Sequence, residues 1–196
     1  AIATPAAQAV ANEIKDIPIV GTAITDYTTA KLVKNDEKPG GNVTGVSDLA
    51  SIDAQMDLGR ALVPNAKTVG LIYSSSEVNS EVQANMMKDY CKKNNLAVEE
   101  RTVNSVNDIQ QVAESLAGKV DFIYVPTDNT LASSIPTLMK VTDANKIPVI
   151  VGADIMAKDG ALAALSVDYY KLGVQTGHMA ADILDGKIKP ETAAIQ

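Results

Sequence analysis

The chain has 196 residues, 46% of them hydrophobic and 21% charged, enough for one medium domain or two small lobes with real cores. A net charge of −7 with no basic stripe argues against nucleic acid, since neutralising phosphates needs clustered Lys and Arg, and Lys92-Lys93 is the only adjacent basic pair. Cys91 stands alone, which excludes an internal disulfide and a cysteine metal cluster, and no apolar stretch is long enough to cross a bilayer as a helix.

Ala1-Ile-Ala3 reads as the tail of a strand, Thr4 as a helix N-cap and Pro5 as the first helical position, with Ala6 to Lys15 continuing the helix. A domain seldom starts at the carboxyl end of a strand, so the first part of the fold is expected to be truncated at its amino end. Ile17 to Ile24 is a predicted strand ending in Thr25-Asp26-Tyr27, and a Lys-, Asp-, Pro- and Gly-rich loop leads to a short strand near Val43. Asp48 to Leu62 reads as a helix with Ile52, Met56 and Leu62 on one side. After strand Val69 to Tyr73, residues Val78, Val82, Met86 and Tyr90 mark a helical stripe. Strand Leu96 to Val103 follows, then a helix opened by a capping-box pattern at Asn107 to Gln110 and ended at Gly118. Strand Asp121 to Val125, helix Asn129 to Ala144, strand Ile147 to Val151 and a short strand within Ala161 to Val167 come next. A last helix from Tyr169 to Asp185 stops at Gly186. This rhythm predicts a mainly parallel three-layer α/β fold with right-handed crossovers. Two short extended crossings, at Gly41 to Asp48 and around Leu165 to Asp168, suit two lobes joined by a hinge.

Three apolar strands end in small polar and acidic clusters: Ser74 to Ser80, Pro126 to Thr130, and Gly152 to Asp154. Ligands of open α/β sheets bind beyond the carboxyl ends of the strands, so these clusters describe the rim of a small-molecule site. No G-x-G-x-x-G or Walker pattern is present, so the usual phosphate cradles are missing. His178, the only histidine, lies inside the final helix, and nothing suggests a nucleophile, base and orienting group in register. A racemase working through two opposed cysteines is disfavoured by the single, mid-helix Cys91. Asp26, Asp128 and Asp154 leave two readings open, loop and cap carboxylates or ligands for Mg²⁺ in a hydrolase. Their setting among Thr25, Ser75, Asn79, Ser80, Thr127 and Asn129 suits a zwitterion. Hydroxyls and helix-start N–H groups, at Thr4 and Ser75 to Ser80, receive a carboxylate, and Asp128 or Asp154 receives an ammonium. Tyr27, Tyr73 and Tyr124 lie near strand ends and could cover an apolar side chain, core packing being the favoured role for the latter two.

Several segments, in order and spacing, resemble the substrate-binding proteins of bacterial ABC importers, in the group associated with aromatic amino acids such as tryptophan or tyrosine. They are Pro39 to Ser47, Ile72 to Ser80, Val125 to Asn129, Ile147 to Asp154, Gly160 to Ala163 and Asp168 to Gly173. The resemblance implies two Rossmann-like lobes of the type I periplasmic-binding-protein fold closing over a ligand. Residues 1–47 and 165–196 would form the first lobe and 48–164 the second. It places the ligand against Ala3-Thr4 and Thr25-Asp26 on one side and Asn79-Ser80, Thr127-Asp128-Asn129 and Asp154 on the other. It implies no catalysis, cofactor or metal, an extracytoplasmic or lipid-anchored location, a membrane permease as partner and a monomer at full length. The rival reading within this fold is an effector domain sensing a sugar or nucleoside.

Overall fold

The structure, a computed structural model, describes residues 1–196. The elements in the first half are α1 (Thr4–Glu13), β1 (Ile19–Ile24), β2 (Val43–Ser47), α2 (Ile52–Leu62), β3 (Thr68–Ser74), α3 (Val78–Lys93) and β4 (Ala97–Val103). Then come α4 (Ile109–Glu114), β5 (Phe122–Val125), α5 (Asn129–Ala132), α6 (Ile135–Ala144), β6 (Val149–Val151), α7 (Asp154–Lys158), β7 (Ala163–Ala164) and α8 (Tyr169–Leu184). The chain divides into two compact units, one made of Ala1–Leu49 with Val167–Gln196 and the other of Ala50–Ser166.

In the first unit β1 and β2 pair in parallel, and the Ala1 to Ala3 segment joins β1 through a parallel bridge between Ile2 and Thr22. Alternation along the strands separates two apolar clusters. Ile19, Ile24 and Val43 pack with Ala7 of α1, Tyr27 and Val33, while Val46 packs with Leu172 and Met179 of α8, flanked by Val20 and Ala23. Gly45, at φ +155°, is required by a close approach: a Cβ there would sit 2.1 Å from the Gly21 carbonyl oxygen and 2.2 Å from Tyr27 Oη.

The second unit is an all-parallel sheet in the order β4-β3-β5-β6-β7. Val69, Leu71, Tyr73, Phe122, Tyr124 and Ile150 share one cluster with Ile52 and Met56 of α2 and Ala84, Met87, Tyr90 and Cys91 of α3. Gly70 points the opposite way, where its missing side chain leaves room for Leu116 and Ile123. Parallel strands covered on both faces read as continuous apolar runs, which is why these strands were legible.

The structure departs from the sequence reading at several helix ends and faces. The α1 N-cap is Ala3, with no side-chain cap bond, and Thr4 is already helical. Strand pairing runs through residue 3, whose N–H donates to the Thr22 carbonyl at 3.0 Å, so the chain turns into the helix at Ala3, with φ 70° and ψ 151°. The predicted helix over 129–144 is two helices, α5 and α6. Pro136 lacks the N–H needed to continue from α5 but fits the first turn of α6. The capping box is built by Ser105 and Asp108 rather than Asn107 to Gln110. In α2 the buried face is Ile52, Gln55, Met56 and Gly59, and Leu62 is 46% exposed. Gly59 centres that face because its missing side chain lets the helix settle on Phe122. In α3 the buried residues are Asn79, Ser80, Gln83, Ala84, Met87, Tyr90 and Cys91, so the face turned inward is a partly polar one and Met86 is exposed.

Candidate functional site

In the second unit the connections leave β3 toward β4 on one side, while β5 lies on the other. The order therefore reverses between β3 and β5, the place where open parallel sheets leave a crevice beyond their carboxyl ends. The segments that follow β3 and β5 there, Ser75 to Glu77 and Pro126 to Asp128, are knitted into one polar network.

Glu77 is its centre. The carboxylate is buried and accepts five hydrogen bonds: Oε2 from Asn79 Nδ2 at 3.0 Å, Asn129 N at 3.0 Å and Asn129 Nδ2 at 2.7 Å, and Oε1 from Thr130 N and Thr130 Oγ1, both at 2.8 Å. Burial alone would raise its pKa; the donors outweigh burial and hold the carboxyl below its ordinary range. Asp128 caps α5 through Oδ1, which accepts Leu131 N at 2.8 Å, while Oδ2 accepts Ser74 N and Ser80 Oγ, both at 2.7 Å. Burial first, and the nearby Glu77 charge second, push its pKa up. With both oxygens filled from within, Asp128 serves as a cap and a tie between β3, α3 and α5. The expected role as an ammonium counter-ion does not fit that geometry.

Gln83 grips the Thr127 peptide at both ends. Thr127 N donates to Gln83 Oε1 at 3.0 Å, and Gln83 Nε2 donates to the Thr127 carbonyl at 3.1 Å. Asn79 Nδ2 donates to the same carbonyl at 3.1 Å, whereas Asn79 Oδ1 is buried without a hydrogen-bond partner. Gly152, just past β6, closes against the turn: a Cβ there would stand 2.7 Å from Thr127 N and 2.9 Å from Thr127 Oγ1. Asn79, Ser80, Thr127, Asp128 and Asn129 are thus brought together. Ser75 and Asp154 are not part of the network: Ser75 Oγ donates to Asn104 Oδ1 at 2.7 Å, beyond β4, and Asp154, first residue of α7, pairs with exposed Lys158.

In the first unit Thr25 Oγ1 donates to Asp48 Oδ1 at 3.2 Å, and Tyr169 Oη donates to Asp48 Oδ2 at 3.1 Å. Burial raises the Asp48 pKa against these two donors. Asp26 Oδ1 accepts Thr29 N at 2.7 Å and closes a turn. Tyr27 is 1% exposed, with Oη donating to the Val46 carbonyl at 3.2 Å, so its ring belongs to the core and has no face left for a ligand. Thr4 is buried at the start of α1, next to half-buried Ala3. Tyr73 and Tyr124 are core residues, their hydroxyls donating to Glu100 at 2.7 Å and Gln55 at 2.6 Å.

No three His, Cys, Asp or Glu side chains are grouped to hold a metal ion. His178 is exposed on α8, and burial raises the Cys91 thiol pKa to about 11, which makes it an inert core thiol. What the network offers is pre-oriented hydrogen bonding, the equipment of recognition.

The profile of the family described as ABC transporter substrate binding protein matches residues 1–196. The chain belongs to that family. Among curated proteins, a tyrosine-binding protein of Clostridioides difficile is 49% identical over 187 residues, covering 95% of this chain and 54% of the relative. Among solved structures, an ABC domain from Streptococcus pneumoniae in complex with L-Trp superposes with a TM-score of 0.96 at 45% identity, over 100% of this chain and 66% of that one. The chain therefore spans about half the length of the curated relative. A LacI-family transcriptional regulator from Bifidobacterium animalis, at 12% identity and TM-score 0.64 over 98% of this chain and 72% of that one, shares the fold alone. That fold is the type I periplasmic-binding-protein architecture the resemblance implied.

The sequence pointed to the segments that the structure knits into this network but missed their organisers. Glu77 stands inside the Ser74 to Ser80 cluster, yet nothing local marks it as the acceptor for residues 52 and 53 positions further on. Gln83 was hidden because the apolar stripe Val78, Val82, Met86, Tyr90 pointed to a neighbouring face of α3. Asp48 and Tyr169, 121 residues apart, meet only through the tertiary fold.

Proposed function

We propose that this chain is the recognition part of an extracytoplasmic solute receptor that delivers an amino acid with an aromatic side chain to an ABC permease. What carries the proposal is the fixed polar network beyond β3 and β5, in a chain 45% identical over its whole length to a domain solved with L-Trp. The tyrosine-binding relative supports the same ligand class. The candidate contact residues are Ala3, Thr4, Thr25 and Asp26 in the first unit and Ser75, Asn79, Ser80, Thr127, Asn129 and Asp154 in the second. Asp128 ties Ser80 to the end of β3 and the start of α5. Binding without chemistry agrees with hydroxyl, amide and carboxylate groups that are engaged with one another and lack an activated nucleophile. In the natural protein a lipid anchor or secretory leader keeps the receptor at the outer face of the cytoplasmic membrane, where it works as a monomer.

Calorimetric titration of the full-length protein with the twenty amino acids tests this. Tryptophan or tyrosine is expected to bind with micromolar or tighter affinity, with small and charged amino acids far weaker. Heat from none of the twenty would remove the amino-acid assignment.

A further inference from the structure

We propose that Asn79 Oδ1 is the acceptor for the ligand's α-ammonium group, and that Glu77, acting through the Asn79 amide, tunes it for a cation. The inference rests on the amino-acid reading above and adds the group that discriminates an amino acid from its deaminated acid.

Asn79 is 3% exposed, and its two ends are in opposite situations. Nδ2 faces three acceptors: Glu77 Oε2 at 3.0 Å, the Thr127 carbonyl at 3.1 Å and Ser80 Oγ at 3.3 Å. Exchanging the amide's oxygen and nitrogen would set oxygen against the first two, so the orientation is fixed by chemistry. Oδ1 is left buried and unpartnered. A buried acceptor without a donor is costly, and a protein that retains one beside an otherwise satisfied network has a use for it.

The missing partner has to be a donor, which excludes a ligand carboxylate at this point. An indole N–H or phenol O–H would meet the donor requirement, but the surroundings favour a cation. Glu77 is held ionised by its five donors, one of them Asn79 Nδ2. Hydrogen bonds in such a chain polarise one another: donation from Nδ2 to a carboxylate enriches Oδ1 in negative charge. An ammonium there gains a charge-assisted bond and the attraction of a buried carboxylate, and a neutral N–H gains neither in full. Asp128, the second acid of the network, has both oxygens committed to Ser74, Ser80 and Leu131 and stays with its protein donors.

The test is Asn79→Ala in the full-length protein, with calorimetry for L-tryptophan and for indole-3-propionate, the same molecule without the ammonium. The expected result is a loss for the amino acid at least about fivefold greater than the loss for the deaminated acid, which forfeits only what the Asn79 Nδ2 bonds to Thr127 and Glu77 supply, the difference being the scale of a hydrogen bond to a charged group. Equal losses for both, or none for either, would overturn the proposal, since a merely structural role moves both ligands together. Should Asn79→Ala fail to fold, a crystal structure of the unaltered protein with L-tryptophan decides. The ligand nitrogen is expected within about 2.7–3.2 Å of Asn79 Oδ1; a water, a side-chain indole or any other group there overturns it. An unaltered protein that binds no aromatic amino acid defeats the proposed function instead, and the two failures are distinguishable.

Discussion

Glu77 shows how one side chain can organise a loop that lies more than fifty residues away in sequence. Its carboxylate gathers the amides of Asn129 and Thr130 and fixes Asn79, so its charge is part of the architecture. A carboxyl whose folded pKa lies below its unfolded value contributes stability that is present above that unfolded value, about 4.5, and lost as pH falls through the folded pKa. Asp128, raised above 3.8, works the other way, its ionisation costing the fold as pH rises through the window above that value. Glu77→Gln isolates the first effect. The variant should be less stable than the parent by about 2–4 kcal/mol at pH 7, and the gap should narrow as the pH falls below the unfolded value of 4.5 toward the lower folded pKa. Urea unfolding at pH 7 and pH 3.5 measures both; a gap that stays constant would show that charge is not what Glu77 supplies.

Among elements, the contact that matters most to the site is the one between the end of β6 and the turn after β5. Gly152 leaves only enough room for Thr127, whose peptide Gln83 holds from the α3 side. Gly152→Ala should displace Thr127, weakening ligand affinity several-fold or more while costing about 1–3 kcal/mol in stability. Calorimetry and thermal melting read the two effects separately, and unchanged affinity would mean that the Thr127 turn lies outside the site. The strands at this edge were legible in the sequence because parallel, doubly covered strands are continuous apolar runs, and the polar clusters after them were legible because they interrupt those runs. The inward face of α3 was not. Its buried set includes Asn79, Ser80 and Gln83, and hydrophobic periodicity cannot find a helix face whose burial rests on hydrogen bonds to a distant loop. The break between α5 and α6 is written in Pro136, whereas Ala3 as a helix cap follows only from its pairing with Thr22.

For the whole molecule, the sequence already carried the family, since the ordered segments from Pro39 to Gly173 mean more together than singly, and the family profile matches along the entire chain. What it could not carry was the inner organisation of each unit, because Asp48 with Tyr169 and Glu77 with Thr130 meet only once the chain is folded. The central claim is that the loops after β3 and β5 recognise an aromatic amino acid. Backbone-amide NMR of the protein, titrated with L-tryptophan and L-tyrosine, tests it most directly. The account predicts the largest shift changes at residues 74–80 and 127–130, with further changes at Thr25 and Asp26 and almost none over 106–118. No change in those segments, or changes confined to elements away from them, would contradict it.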